Sequence, residues 1–275
     1  MRKPQRLLVG IGAAAALTMA GVATAAATQL VALTGDKTLI LIDYSRPAVV
    51  AQATVSGISG RLLGIDVRPA DGQLYGVVAD GTVVTIDGRA NATFKTTLNP
   101  PLLLPVDPRA SVDFNPSADR LRIIFANDGQ NLRANVDTGE LLTDVPLNYA
   151  PNPFGLAPPT VPQVIAAAYT NSAVGTAPGA KGTILFDVDD RSDAIFAQVP
   201  ANAGTLNAVG AQLGITPGQI GFDIATDRRG RNTAWLINGN RLHRPDLLSG
   251  LAGEGKRIRG LTAEVRDLAV LPSRR

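Results

Sequence analysis

The sequence predicts an all-β chain folded as a five-bladed β-propeller. Three observations carry this: one strand-turn-strand unit recurs along the chain, its period is near 50 residues, and the two chain ends each hold part of a further unit. The clearest copy is SVDFNPSADRLRIIFANDGQNLRANVDTG at 111–139, in which an apolar strand with a central Asp, a polar turn, a second apolar strand, a tight turn and a third strand follow one another. GIDVRPADGQLYGVVADGTVVTID at 64–87 and GFDIATDRRGRNTAWLINGNRLHR at 221–244 repeat the pattern. A weaker copy runs from VIAAAYTNS at 164 through TILFDVD at 183 to DAIFAQV at 193, its first turn lengthened by SAVGTAPGAKG. Asp66 to Asp113 is 47 residues, Asp113 to Asp223 is 110, which holds two units, and Asp223 to Asp267 is 44.

Taken in order, the chain opens with MRKPQRLLVGIGAAAALTMAGVATAAAT, where Arg2, Lys3 and Arg6 precede an uncharged apolar run that ends in small residues. This is the layout of a cleaved secretory signal peptide over 1–27, followed by a single domain over 28–275. The apolar run is shorter than the span of about 20 residues that crosses a bilayer, so no stable membrane span is expected after cleavage; an uncleaved anchor is the alternative. Strands at 30–34, 39–43 and 49–55 make three quarters of a blade, and VRDLAVL at 265–271 supplies its missing first strand. That pairing would close the ring and leave neither chain end as an open edge. First strands are thus expected near residues 62, 110, 164, 220 and 265. Runs such as LYGVVA, RLRIIFA and TAWLI do not alternate cleanly, which fits sheets covered on both faces. Tight turns at 79–82, 126–130 and 238–240 carry the Gly or Asn that positive φ requires.

Composition excludes some classes of function. The formal charge of +3 is carried by Arg2, Lys3 and Arg6, so the remainder of the chain is neutral and offers no basic face for nucleic acid. Export to the cell envelope, the periplasm or the medium is expected, and with no Cys the fold is held by packing alone. At about 248 residues the domain is large enough to bury roughly three quarters of its surface. It is expected to be a monomer.

The motifs GIDVRPADGQLYG, DFNPSADRLR, GQNLRAN, AAAYTNS and PANAGTLNAVG, in this order, resemble a family of exported bacterial proteins known as domain of unknown function 4394. The resemblance extends over residues 30–271 and implies a propeller-like fold and export. It implies no activity and no site residue.

Candidate chemistry is sparse. Asp66, Asp113 and Asp223, with Asp267 out of step, lie in the expected inner strands, where a ring of carboxylates could hold a cation such as calcium or supply an acid and a base. The structural alternative is that each Asp accepts backbone hydrogen bonds and sets the start of its blade. DVDDRSD at 187–193 clusters four carboxylates but has Ser192 and Gln198 where a calcium loop needs Gly and Glu, and reads as a solvated hairpin. His243 is the only imidazole, and no G-x-S-x-G turn accompanies it. Few aromatic residues are present to line a sugar site. Arg120, Arg122, Asn131 and Arg133 read as a polar cluster between blades, paired with Asp119, Asp137 or Asp144.

The proline-rich connection at 146–162 is expected to stay ordered and to present Tyr149 and Phe154 on the same face as Asn127 and Gln130. Asn127, Gln130, Arg133, Tyr149 and Phe154 are therefore the expected contact surface for a protein or small extracellular ligand, with no catalytic residue and no metal assigned. The expected function is a non-enzymatic binding or scaffolding module. The alternative is an extracellular hydrolase of a small ester or glycan that uses the channel Asp residues, with or without calcium.

Overall fold

The structure, a computed structural model, describes residues 29–151, 161–175, 177–179, 181–216 and 218–272. The expected signal peptide over 1–27 and the candidate Phe154 lie outside the described residues. Five antiparallel sheets form five blades. The first combines β21 (Val265–Val270) with β1 (Gln29–Thr34), β2 (Thr38–Asp43) and β3 (Ala48–Thr54). The second holds β4 (Leu62–Val67), β5 (Leu74–Val78), β6 (Thr82–Ile86) and β7 (Ala92–Thr97). The third holds β8 (Ala110–Asn115), β9 (Arg120–Phe125), β10 (Asn131–Ala134) and β11 (Leu141–Thr143). The fourth holds β13 (Val164–Tyr169), β14 (Leu185–Asp189), β15 (Ala194–Gln198) and β16 (Thr205–Gln212), and the fifth β17 (Ile220–Thr226), β18 (Asn232–Asn238), β19 (Arg241–His243) and β20 (Lys256–Arg257).

The inner strands pack on one another in a closed circle, β21 on β4, β4 on β8, β8 on β13, β13 on β17 and β17 back on β21. Closure rests on the pairing of β21 with β1, from Leu30 opposite Val270 to Leu33 opposite Asp267, with Leu271 N–H donating to Gln29 O. Side chains alternate across each sheet, and both faces are buried. Leu30 and Ala32 pack toward the fifth blade with Trp235 and Ile237, while Val31 and Leu33 pack toward the second with Leu62 and Ile65. The core is therefore a set of apolar layers between neighbouring blades.

Two kinds of glycine shape this ring. Gly81, Gly129 and Gly239 take φ of 87°, 68° and 55° in the second-to-third turns, the left-handed conformation those hairpins need. Gly64 lets two inner strands approach: a Cβ there would lie 2.5 Å from both Asp267 Oδ2 and Val112 Cγ2. One element departs from expectation. Part of the 146–162 connection forms β12 (Asn148–Tyr149), which pairs parallel to β16 and gives the fourth blade a fifth strand. The outer edge of β16 otherwise leaves backbone groups unpaired, and Gly204 O and Leu206 O are met by the N–H groups of Asn148 and Ala150.

Candidate functional site

The repeated Asp residues join four of the five inner strands to the next. Asp66 accepts from Phe114 N–H (2.7 Å), Asp113 from Tyr169 N–H (3.0 Å), Asp223 from Val270 N–H (2.6 Å) and Asp267 from Ile65 N–H (2.8 Å). Asp66 bonds to the residue after Asp113, whereas Asp267 bonds to the residue before Asp66, so Asp267 sits one layer nearer the strand starts. Ser111 occupies that same layer: its hydroxyl accepts from Ala167 N–H and donates to Ala167 O. Ala168, the residue before Tyr169, stands where the fourth blade would carry its Asp.

Oxygens of Asp66, Asp113 and Asp223 all lie within 4.8 Å of one another, and all three side chains are buried. Burial holds Asp66, Asp113 and Asp267 well above the usual carboxylate range, with the neighbouring carboxylates adding to the shift, and it pushes Asp223 up to about 6. Five of the six oxygens in the three-Asp layer already accept a backbone N–H. Three of these bonds join strands and two come from the following residue, and calcium would need several more oxygen ligands than these three residues provide.

Turns that leave the inner strands, together with those between third and fourth strands, meet on one face around a cleft of 1570 Å³. Blades one, four and five supply most of it, and Asp66 of the second blade and Asp223 of the fifth form part of its floor. Beside them is Trp235, cross-strand partner of Asp223 and 6% exposed. The Tyr44 ring lies 4.2 Å from the Trp235 ring, tilted by 32°, and the Arg244 guanidinium sits 5.0 Å from its centre. The indole Nε1 is buried and has no hydrogen-bond partner among the described residues. Six cationic residues line the cleft: Lys181, Arg228, Arg229, Arg231, Arg244 and Lys256. Only Arg231 is ion-paired, to Asp227 at 2.7 Å; the other five form no salt bridge among the described residues.

The described residues expected to form a contact surface, Asn127, Gln130, Arg133 and Tyr149, lie elsewhere, and their polar groups have internal partners. Asn127 Nδ2 donates to Val106 O and Asp107 O, and Gln130 Nε2 donates to Leu103 O and to Asp128. Both therefore fasten the connection between blades two and three. Leu147 N–H donates to Gly129 O, which brings the 146–162 connection to this same face, and Tyr149 donates to Asp189 at 2.5 Å. Arg133 pairs with both oxygens of Asp144, which also receives the fully buried Arg122. Asp119 and Asp137 instead hold Arg68, a residue with no distinguishing sequence context.

The DVDDRSD stretch departs from a solvated hairpin. Asp187 and Asp189 belong to β14 and are fully buried, facing the third blade, because strand alternation turns every second residue of the stretch inward. Asp189 accepts from Gln163 N–H, Tyr149 and Ser192. Both Asp187 oxygens lack partners among the described residues, and burial raises this group well above the carboxylate range. His243 is buried, with Nδ1 3.1 Å from Gly253 O, as a packing residue would be.

The chain is similar to several solved structures at low identity. A protein of unknown function from Bacteroides caccae is 13% identical (TM-score 0.46, covering 87% of this chain and 77% of that one). A second, from Bacteroides thetaiotaomicron VPI-5482, is 14% identical (TM-score 0.48, covering 90% and 67%). A chain of a nidogen/laminin complex is 12% identical (TM-score 0.50, covering 91% and 87%). No curated protein matches the sequence. A family model does match, over residues 38–269, and the chain belongs to that family, described as a domain of unknown function, DUF4394.

Proposed function

We propose that this propeller is an exported, non-enzymatic binding module that takes an anionic ligand in the cleft on the Trp235 face. The buried indole N–H of Trp235 carries this reading. A buried donor left unpaired costs about 1–3 kcal/mol, and a ligand acceptor that enters the cleft floor as the side chains stacked on the indole shift would recover it. The five unpaired cations around it favour negative charge. At 1570 Å³ the cleft exceeds the range of about 300–1000 Å³ that holds a drug-sized molecule, which suits an extended ligand.

A thermal-shift screen of acidic extracellular metabolites and oligosaccharides tests it. Hits should bind at least tenfold more weakly to the Trp235→Phe variant and to an Arg228→Glu/Arg229→Glu variant, and should be recovered chemically unchanged. Hits that bind both variants normally but lose affinity on Asn127→Ala or Gln130→Ala would move the site to the opposite face. Turnover of a hit would favour the hydrolase.

A further inference from the structure

A groove between blades four and five has an open strand edge for one of its walls. β18 begins at Asn232, but β19 pairs with it only from Leu236 onward. After His243 the chain leaves as Arg244 and Pro245, and Pro245 has no N–H with which to extend the ladder. Asp227 N–H donates to Arg231 O, so residues 231, 233 and 235 face β17, and alternation turns the backbone groups of Asn232 and Ala234 the other way. Among the described residues no strand meets them there. Both line a groove of 870 Å³, together with Ile184 and Phe186 of the fourth blade and Leu248 of the connection that follows β19. Ile184 is 44% exposed and Leu248 90%, so the groove keeps aliphatic surface in water. Asn171, Thr233 and Arg244 line both this groove and the cationic cleft, so one opens into the other.

An unpaired strand edge is a template for another backbone, and a protein normally covers or blunts it. We propose that the ligand of this face is an extended acidic peptide segment of a partner protein. It adds a strand to the open edge of β18, sets aliphatic side chains against Ile184 and Leu248, and carries its carboxylates past Arg244 into the cleft. Backbone pairing supplies affinity in such strand addition, and the pockets beside the edge choose the side chains. Here the groove chooses aliphatic residues, and the unpaired Lys181, Arg228, Arg229, Arg244 and Lys256 of the cleft choose acidic ones. A glycan offers the edge no backbone and the groove no aliphatic side chain. The inference rests on the anionic-ligand reading above and names the class of that ligand.

The test titrates the full chain with blocked tetraaspartate and with the same peptide carrying two leucines at one end or the other, followed by the fluorescence of Trp235, the only Trp. One of the leucine peptides should bind about tenfold more tightly than tetraaspartate. Methylating the backbone nitrogens of its leucines should remove that gain on the unaltered protein. Ile184→Ser combined with Leu248→Ser, both at exposed positions, should also remove it while tetraaspartate binds as before. A gain that survives methylation would overturn strand addition. Leucines that add nothing, or trigalacturonate binding more tightly than either leucine peptide, would overturn the peptide class. In those cases the binding of tetraaspartate leaves the anionic reading standing, whereas failure of every oligoanion to bind would remove that reading and this inference together.

Discussion

Replacing Arg122 with Ala should destabilise the fold far more than replacing Arg133, although both pair with the same carboxylate. Arg122 has a side-chain exposure of 1% and donates to Asp144 (2.7 Å), Asn131 (2.7 Å), Asn202 (2.8 Å) and the Tyr169 hydroxyl (3.2 Å). It thereby bolts the third blade to the fourth. Its removal leaves Asn131 and Asn202 oxygens without this donor and a cavity between blades, for a loss of about 3–5 kcal/mol. Arg133 is 27% exposed, and Asp144 would keep Arg122 in its absence, so Arg133→Ala should cost only about 1 kcal/mol. For a domain of this size 1 kcal/mol is about 2–4 °C, which gives falls of roughly 6–20 °C and 2–4 °C respectively. Urea unfolding followed by far-UV circular dichroism measures both. A loss within about 1 kcal/mol of the Arg133→Ala value would refute the assignment of Arg122 as the anchor between these blades.

Three further outcomes follow from the same structure. Deleting residues 265–275 removes β21, the inner strand of the first blade, and should give an aggregated protein or one melting far lower; unchanged melting would break the closed-ring topology. Stability should fall as pH rises through about 4 to 6, because Asp223, pushed up to about 6, binds its proton more tightly folded than unfolded. That group alone is worth about 3 kcal/mol across the window, and Asp66, Asp113 and Asp267, shifted in the same direction, add to the decline. Asp223→Asn should flatten the profile, and an unaltered slope in its melting curves would contradict the linkage. Finally, mass spectrometry of the culture supernatant should find an N-terminus between Ala26 and Thr28, whereas an intact Met1 on a membrane-bound product would refute cleavage.

Much of the ring was legible in the sequence because its signals are local. An Asp in four first strands, Gly at the tight turns near 81, 129 and 239, the weaker copy from Val164, and two incomplete chain ends suffice to place β4, β8, β13, β17 and β21 and to predict closure. The Asp-to-neighbour bonds follow from that repeat, but the offset of Asp267 is visible only once Ile65 is seen to be its donor. The cleft was not legible, since Tyr44, Lys181, Arg228 and Arg244 come from turns of three different blades. Two local signs did exist, the lengthened turn after Tyr169 and the DRRGR run at 227–231, which concentrates cations where a short polar turn needs only one or two. Asn127 and Gln130 looked like surface residues for contact because turn amides usually are. Their partners, carbonyls of the 98–109 connection, lie more than 20 residues away and carry no side-chain signature.

The single Trp235 also makes the central claim directly measurable, since uniformly ¹⁵N-labelled protein has one indole N–H resonance. Titration with trigalacturonate, an extended oligoanion, should move that resonance downfield and slow its exchange with water, while the side-chain amides of Asn127 and Gln130 stay in place. An indole signal that does not respond, with shifts confined to those two amides, would contradict the account and place binding on the opposite face.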